Sequence, residues 1–489
     1  MADAKRRPSG SKSSKVGRAT RRKRFDVIVV GGGPAGSTMS WKLAKRGLNV
    51  LVLDKAAFPR EKVCGDFVEP RGLRILDEMG CLKKLEDRDP LPISRVAMYL
   101  QSECRYQGPI PFYGRHDDLP PHGYIIARYD LDSTMLEAAE QAGAVVFEET
   151  TAKEITFEKE RVVVGAVRHG NPLEFYAPLL VGADGCNSVV AKSVGLNESD
   201  PRYIAVSKRC YAEGADLGDG EAAFFFDRDT FPGYAWMFPM STTRANIGVG
   251  ILSEARNRYN LSVPKLLDRF VQQLRDVHPD CKNIEPSSRP IGGIVKTYGG
   301  AGKNYFDRGI LIGDAGCFVD PMTGEGITPA MESALLGAEV LVAALEAKQF
   351  DAEFLSEYHR SFRGYFDPAM QMLDLVAAIM RNRHFADSWL NLVGKGCELS
   401  AKDEGFARLA GGTFGGMEVV PVQIGMAVWL KAITAIGTNG LEAMQGFATG
   451  NVGPALHLFR DSFDWQLSWW KSVMDDPVWH AGWWSDVLG

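Results

Sequence analysis

Four residues near the start of the chain have the types and spacing needed to bind a dinucleotide. Gly31, Gly33 and Gly36 form the pattern GxGxxG, and Asp54 lies 18 residues after the last of them. The first glycine permits a tight turn, the second lets a pyrophosphate approach the backbone, and the third lets a helix pack on a strand. An acid at this distance accepts a hydrogen bond from a ribose hydroxyl. The set predicts dinucleotide binding and leaves NAD and FAD as alternatives.

The surrounding sequence supplies the elements that such a motif requires. Residues 25–55 read FDVIVVGGGPAGSTMSWKLAKRGLNVLVLDK, which is an apolar run, a glycine turn, a helical stretch and a second apolar run ending in an acid. This pattern is typical of a βαβ unit. We expect the first turn of its helix, which contains Ala35, to face the anion, because backbone N–H groups are free there.

A second motif, LIGDAGCFVDPMTGEGI, covers residues 311–327. Its pairing with the first glycine motif resembles the FAD-dependent oxidoreductases of the p-hydroxybenzoate hydroxylase fold. The resemblance implies that Asp314 binds the ribityl chain and that the backbone N–H groups of Gly326 and Ile327 meet the flavin pyrimidine edge. It also implies that Ala152 contacts adenine and that Arg128 binds the phosphate region.

The segment GADGCNSVV, residues 182–190, resembles a further fingerprint of this fold, GADGxxSxVR. It departs from the fingerprint at the end, where Ala191 replaces Arg and Lys192 follows. That departure weakens any inference about NADPH drawn from the hydroxylases.

Two stretches narrow the resemblance to the geranylgeranyl reductase family. They are FPREKVCGDFVEPRGL, residues 58–73, and YAWMFP followed after eight residues by GVG, residues 234–250. The family signature is YxWxFP, seven or eight residues, then GxG, and it is matched here at Tyr234, Trp236, Phe238, Pro239, Gly248 and Gly250. The related flavin-dependent halogenases have WxWxIP, which this chain does not match.

The residues of this signature also have a direct physical interpretation. Tyr234, Trp236 and Phe238 alternate along one predicted strand and so share a face, which could line an apolar tunnel or form ordinary sheet core. Cys64 and Gly65 lie in a loop that passes the flavin in related folds. A thiol there could donate a proton or tune the flavin, and simple packing is the alternative.

The predicted fold is α/β: a Rossmann-like FAD-binding domain with an inserted antiparallel β-sheet substrate domain and a mainly helical C-terminal domain. The predicted boundaries are a disordered basic tail at 1–24, the FAD-binding domain at 25–200 and 291–350, the β-sheet domain at 201–290, and the helical domain at 351–489. Strands are expected around 144–147, 152–157, 161–167, 179–182 and 309–312, and helices near 131–142, 263–277 and 327–347. Four β-rich runs fill 203–252.

Charge excludes nucleic acid as a partner of the folded body. The net charge is −5, yet the first 24 residues hold ten Lys and Arg and one acid, so the rest of the chain is acidic. Phosphate binding needs a basic face, which such a body lacks. The tail has no apolar segment of a secretory signal, so we expect a cytoplasmic protein.

Cysteine spacing argues against a metal site. The eight cysteines form no CxxC pair, which favours reduced thiols.

Residues 419–436 are apolar but interrupted, and six of the ten tryptophans fall in the last 25 residues. Peripheral contact with a membrane or a partner, or a helical cap on the core, would each explain these tryptophans.

The expected function is reduction of carbon–carbon double bonds in a prenyl-type lipid or other apolar substrate by reduced FAD. NAD(P)H or a reduced electron carrier would be the electron donor. A monooxygenase or halogenase on the same fold is the first alternative. A non-catalytic prenyl-binding carrier is the second.

Overall fold

The computed structural model describes residues 25–109, 120–198, 200–218, 220–383, 386–407 and 473–488. The strands in these segments are β1 Val27–Val30, β2 Val50–Leu53, β3 Phe67–Val68, β4 Pro92–Ile93, β5 Arg95–Leu100, β6 Glu103–Pro109, β7 Gly123–Ile125, β8 Val145–Phe147, β9 Thr150–Phe157, β10 Val162–Arg168, β11 Asn171–Ala177, β12 Leu179–Gly182, β13 Ile204–Glu213, β14 Glu221–Phe226, β15 Gly233–Pro239, β16 Arg244–Leu252, β17 Glu285–Pro286, β18 Ile291–Lys296, β19 Tyr305–Phe306 and β20 Gly309–Leu311. The helices are α1 Pro34–Lys45, α2 Pro70–Glu78, α3 Leu82–Glu86, α4 Arg128–Gln141, α5 Val189–Ser193, α6 Ser253–Arg258, α7 Val263–Val277, α8 Ile327–Ala347, α9 Ala352–Met380, α10 Ala386–Lys402 and α11 Pro477–Leu488, with short 3₁₀ turns at Pro201–Tyr203, Pro279–Cys281 and Gly313–Gly316.

A six-stranded sheet in the order β19-β20-β12-β1-β2-β8 forms the first layer. Its strands run parallel except β19, which is antiparallel to β20. Every residue of β1, β2 and β12 is buried, which explains their continuous apolar sequence. Helices α1, α4 and α8 pack together on one face of this sheet and share one core cluster with β1, β2 and β12. The Rossmann-like arrangement predicted from the sequence is confirmed.

An eight-stranded sheet forms the second layer. The order is β17-β13-β16-β15-β14-β5-β6, with β18 also paired to β13. Its pairs are antiparallel except β14 with β5. Helix α7 buries its apolar face on this sheet, in a core of its own. The inserted antiparallel sheet predicted from 203–252 is therefore present, and it also includes β5, β6 and β18, which lie outside the range 201–290.

Two three-stranded sheets complete the described body. Strands β11, β10 and β9 form an antiparallel sheet that packs with β1, β2 and β12 in a further core cluster. Strands β3, β7 and β4 form the other sheet. The latter matters for the site, since β3 begins directly after the segment Cys64–Gly65–Asp66.

The described C-terminal elements are helices, as the sequence predicted. Trp483 of α11 is buried and donates a hydrogen bond to the carbonyl of Ala378, and Trp479 stacks on it. These two tryptophans thus cap the core. Trp465, Trp469 and Trp470, the basic tail at 1–24 and the apolar stretch at 419–436 lie outside the described residues. Among the described helices, α8 is the one long and apolar enough to cross a membrane, and 72% of its most apolar window is buried inside the protein.

Candidate functional site

One cavity of about 590 Å³ collects residues from both large sheets and from the segments between them. The sequence-predicted residues that line it are Gly31, Gly33, Ala35, Asp54, Cys64, Gly65, Arg128, Ala152, Tyr234, Trp236, Asp314, Gly326 and Ile327. Gly36 does not line the cavity. Its predicted role, helix-to-strand packing, does not require that it should.

The glycine turn between β1 and α1 has no room for side chains at two positions. Gly31 has φ +105°, and a β-carbon there would lie 2.3 Å from the carbonyl oxygen of Ala183. A β-carbon on Gly36 would lie 1.8 Å from the carbonyl oxygen of Gly31. Both glycines are therefore required by the backbone itself, as the spacing predicted.

The start of α1 presents free backbone donors and two guanidinium groups to the cavity. The N-cap residue is Gly33, which has no side chain to cap the helix, and Pro34 is the first helical residue. A β-carbon on Gly33 would lie 3.6 Å from Nη2 of Arg60 and 3.9 Å from Nη2 of Arg128. A helix start with uncapped N–H groups and adjacent guanidinium groups suits a bound anion.

The two arginines share a single carboxylate. Arg128 makes a bidentate pair with Asp132, at 2.6 and 2.8 Å, and Nη1 of Arg60 lies 3.1 Å from the same side chain. Asp132 neutralises one of the two positive charges, so one remains for a bound anion. Arg60 was not identified from the sequence. It precedes Cys64 in a loop whose path only the fold reveals.

Asp54 is held in a fixed orientation at the end of β2. One carboxylate oxygen accepts a hydrogen bond from the N–H of Gly32 at 2.7 Å, and the other accepts one from the N–H of Ala56 at 2.8 Å. A carboxylate has about four lone-pair sites, so each oxygen can still accept a ribose hydroxyl. Ala152, at the start of β9, is buried and lines the same cavity.

The second sequence motif lies where β20 leads into α8. A β-carbon on Gly326, the N-cap of α8, would lie 3.6 Å from Oδ1 of Asp314. Oδ2 of Asp314 lies 3.5 Å from Nζ of Lys62, and Cys186 donates a hydrogen bond to it. Residues separated by 12 positions in the motif are thus neighbours at the cavity wall.

An aromatic wall, formed by Tyr234, Trp236 and Phe238 of β15, closes another part of the cavity. Trp236 pairs in register with Gly248 of β16, where a β-carbon would lie 2.2 Å from the indole. The indole therefore lies flat against the neighbouring strand, and a glycine is needed beneath it. The first glycine of the GxG motif, Gly248, therefore has a steric cause.

A buried polar network fixes the loop opposite this wall. Asn246 accepts a hydrogen bond from the indole N–H of Trp236 at 3.0 Å and donates to the carbonyl of Cys64 at 2.9 Å and to Oδ2 of Asp66 at 2.8 Å. The hydroxyl of Tyr211 also donates to Asp66 at 2.9 Å. The side-chain amide of Asn246 thus connects the aromatic wall to the loop that contains Cys64.

Burial perturbs the titration of this loop. It raises the pKa of the Cys64 thiol, so at neutral pH the thiol keeps its proton. Burial also raises the pKa of Asp66 to about 6, against the opposing effect of Arg209. A buried thiol that keeps its proton suits proton donation better than nucleophilic attack.

Sequence reasoning missed several residues that line the cavity or support it. Asp66 directly follows Cys64 and Gly65, and Asn246 lies two residues before the GVG motif, so proximity to these residues was the available signal. Glu69, Asp320 and Glu325 also line the cavity. Among the described residues, no group of three or more His, Cys, Asp or Glu side chains is arranged to bind a metal ion.

The family profile described as FAD binding domain matches residues 24–365. The chain is 31% identical over 345 residues to a menaquinone reductase of Mycobacterium tuberculosis, covering 69% of this chain and 81% of that protein. It is 30% identical over 340 residues to digeranylgeranylglycerophospholipid reductase 2 of Methanopyrus kandleri, covering 68% and 81%.

Solved structures agree on the fold. A geranylgeranyl bacteriochlorophyll reductase-like protein from Thermoplasma acidophilum superposes with a TM-score of 0.67 at 22% identity, covering 84% of this chain and 96% of that one. A flavin-dependent halogenase gives 0.64 at 19% identity, covering 79% and 77%. At these identities the likeness concerns the fold, which reductases and halogenases share.

The cofactor of this family is FAD, and the cavity fits it. The uncapped start of α1, with one unneutralised guanidinium charge beside it, suits a pyrophosphate. Asp54 is oriented to accept from a ribose. The start of α8 suits the electron-rich edge of a flavin, because a helix N-terminus stabilises negative charge.

Proposed function

Since this chain belongs to the FAD binding domain family of flavoprotein oxidoreductases, we propose that it reduces carbon–carbon double bonds of a prenyl-type lipid or a similarly apolar substrate. FAD is the cofactor, and the relatives named above include a menaquinone reductase and a digeranylgeranylglycerophospholipid reductase. Both names denote reductases of lipid substrates, which supports a lipid substrate for this chain.

The observation that carries the proposal is that the aromatic wall shares one cavity with the cofactor residues. Trp236 and Tyr234 line the same space as Gly33, Arg128 and Asp314. A β-carbon on Gly65 would lie 3.1 Å from the ring of Phe238, so the loop bearing Cys64 packs closely on that wall. An apolar chain bound along the wall would lie next to the flavin.

Once bound and reduced, FAD would supply a hydride for one alkene carbon, and a proton would have to reach the other. The protein contributes binding and orientation. Aromatic side chains exclude water and hold the substrate chain in one position. Because reacting atoms must approach to about 3–3.5 Å, such positioning can lower the activation free energy by several kcal/mol. We assign this role to Tyr234 and Trp236. Tyr234 also donates a hydrogen bond to the carbonyl of Thr323, which ties the wall to the segment before α8.

We infer that Cys64 acts on the substrate or the flavin. Its thiol keeps a proton at neutral pH, and its position is set by Asn246 and by its neighbour Asp66. We propose that it donates a proton or tunes the flavin. A role in packing alone is the alternative, and replacing the thiol by a hydroxyl separates the two.

We also propose the substrate class, the electron donor and the cellular location of the protein. The substrate is apolar, and the electron donor is NAD(P)H or a reduced electron carrier. The protein works in the cytoplasm, with access to substrate at a membrane surface. The apolar wall supports an apolar substrate, and the electron donor and the location are each open to direct assay.

The decisive experiment photoreduces the flavin without oxygen and then adds a panel of prenyl lipids. Reoxidation by a prenyl alkene, with the saturated product found by mass spectrometry, is the expected result. The sample is then reduced again and exposed to oxygen with halide. Reoxidation by oxygen alone, with hydroxylated or halogenated product, would support the monooxygenase or halogenase alternative. A protein that binds prenyl lipid but takes up no FAD would be a carrier.

One observation is relevant to the halogenase alternative. Lys62 lies in the cavity, 3.5 Å from Asp314 and partly exposed. An amine near a flavin is the group that halogenation would use, although the ion pair with Asp314 offers this lysine a structural role as well. In a Lys62→Met variant that still binds FAD, alkene reduction should therefore remain intact if the reductase proposal is right.

A further inference from the structure

Helix α9 carries one apolar stripe that packs in two different places. The stripe residues recur at spacings of four and three, which keeps them on one face of a helix: Phe366, Met370, Leu373, Ala377 and Met380. The first three are buried in the core that α9 shares with α8 and the first sheet. Ala377 and Met380 line the cavity instead. The last turns of α9 therefore bound the cavity, and neither residue has a role in the catalysis proposed above.

Strand ends of the second sheet line the cavity in one row. Ala205, near the start of β13, pairs in register with Leu252, the last residue of β16, and with Val295 near the end of β18. All three residues line the cavity, and so does Gly233, the first residue of β15. Because these neighbouring strands are antiparallel, their starts and ends meet at one edge of the sheet. This row gives the cavity an apolar side.

The last turns of α9 lie against the same strand ends. Met380 packs in a cluster with Phe231, which lies two residues before β15. The guanidinium group of Arg381 lies 5.4 Å from the ring centre of Tyr203, the residue before β13. The cavity is thus bounded here by α9 on one side and by the row of strand ends on the other. We call this part of the cavity the α9 end.

The α9 end is separated from the indole of the aromatic wall by part of β15. At ~3.3 Å per residue, the strand from Trp236 to Gly233 spans about 10 Å. Tyr234 lies between them and shares the face of Trp236. An extended hydrocarbon chain needs several carbon–carbon bonds to cover this distance. A chain that lies along the wall therefore reaches the α9 end only if it is long enough.

The segment before α8 connects the α9 end to the expected flavin edge. The carbonyl of Thr323 accepts a hydrogen bond from the hydroxyl of Tyr234. The preceding residue, Met322, packs against the cluster that contains Met380. Gly326, the N-cap of α8, follows within the same lining segment. A prenyl chain that passes the flavin edge along the wall is therefore directed towards Met380.

We propose that Met380 and Ala377 limit how far a prenyl chain extends beyond the flavin edge, and that they thereby set the preference of the enzyme for chain length. Each methylene group that becomes buried at the α9 end strengthens binding, until the chain meets these two side chains. A longer chain has to displace a buried methionine, and close-packed interiors resist such additions. This assignment rests on the proposed function, but the binding of a chain is measurable without any reaction.

The first arm of the test measures binding of fully saturated prenyl alcohols of increasing length to the FAD-loaded protein, by the change in flavin absorbance. With wild type, the affinity should rise with each added isoprene unit and stop rising at a limiting length. Met380→Ala should move this limit to a longer chain, and Ala377→Val should move it to a shorter one. Met370→Ala changes a buried methionine of the same stripe that packs in the core, so it is the matched control and should leave the limit unchanged.

The two cavity variants are expected to shift the limit in opposite directions, which general destabilisation cannot do. FAD content and melting temperature are measured on each preparation, and either variant alone decides the question if the other does not fold. A limit that stays the same in the folded cavity variants overturns the proposal. A wild type that binds no saturated chain, or binds all lengths equally, also overturns it.

The second arm measures single-turnover reoxidation by prenyl alkenes of the same lengths. Met380→Ala should raise the ratio of the rate constants for a long and a short chain on the order of tenfold or more, the discrimination that a hydrophobic pocket achieves for one methylene group. Ala377→Val should lower this ratio. An equal change at every length would overturn the proposal. A wild type that binds saturated chains up to a limit but reduces no alkene would instead refute the proposed function and leave the role of Met380 in binding intact.

Discussion

The two parts of the cavity, the glycine turn with its arginines and the aromatic wall with its polar network, are built in different ways. The first relies on backbone: Gly31 and Gly36 are required because nothing larger fits, and α1 offers bare N–H groups. The second relies on side chains brought from far apart, since Asn246 bonds to Cys64 across 182 residues. We therefore expect FAD binding to depend most on the two glycines, whose replacement would displace the backbone, and substrate turnover to depend most on the side chains of the wall and its network.

The largest effect should come from Gly36→Val. Its β-carbon would lie 1.8 Å from the carbonyl oxygen of Gly31, so α1 cannot pack on the turn. We expect loss of FAD and a collapse of the melting temperature, measured by flavin absorbance and by calorimetry. Gly302→Val, at a site with open space around the glycine and no positive φ, is the control for introducing a valine. Normal FAD content in Gly36→Val would contradict the backbone interpretation.

Trp236→Ala tests the opposite end. We expect FAD to remain bound while reoxidation by a prenyl alkene slows about a hundredfold, because a shift of ~1 Å in the bound chain is enough for that loss. Trp236→Phe keeps an aromatic ring but removes the N–H that Asn246 accepts, and it should be slowed less. Loss of flavin together with a collapsed melting temperature would mean that the wall is sheet core.

The element predictions were accurate where one segment carries the whole signal. Helices α7 and α8 and strand β12 begin and end where the sequence indicated, because periodicity and flanking turns mark them locally. The β5–β6 hairpin joins the second sheet through a parallel pairing with β14, more than 100 residues later. No local pattern reports such a pairing.

The same limit applies to the site. The glycines and Asp54 could be found because they share one βαβ unit. Arg60 could not, and Asn246 only through its proximity to the GVG motif, since their roles depend on which segments the fold brings to Gly33 and Cys64. Glu325 was overlooked for a different reason: it lies inside a recognised motif, where attention goes to the neighbouring backbone of Gly326.

Asp314→Ala should weaken FAD binding by about tenfold, the effect of losing one hydrogen bond to a charged group. The reason is that the carboxylate is expected to accept from the ribityl chain while the backbone at Gly326 stays in place. Fluorescence titration of the apoprotein with FAD measures the dissociation constant. Asp314→Asn should lose less, since an amide oxygen still accepts. Unchanged affinity in the alanine variant would remove Asp314 from the cofactor site.

Asp66→Asn should stabilise the protein at pH 7.5, by about 1 kcal/mol. The pKa of Asp66 is raised to about 6 in the folded state, so ionisation opposes folding above that pH. As the pH falls from about 6 towards 4 the folded protein binds the proton first, and the advantage of the variant should shrink. Urea unfolding at pH 7.5 and pH 5 measures the difference. An equal difference at both pH values would show that Asp66 does not titrate as described.

Cys64→Ser should produce the smallest change. FAD content should be normal, because the loop is fixed through the Cys64 carbonyl and not through the thiol. Alkene reduction should slow severalfold, since a hydroxyl is a weaker proton donor than a thiol. Unchanged single-turnover rates would assign Cys64 to packing.

The contact between Trp236 and Gly248 restricts how this substrate end can change over generations. An alanine at 248 would meet the indole at 2.2 Å, so it becomes acceptable only after residue 236 has become smaller. A smaller residue at 236, in turn, leaves a gap over a bare glycine. Each single step is harmful while the pair together can be neutral, so we expect the two positions to change jointly among descendants, and a variant library should recover them in coupled combinations.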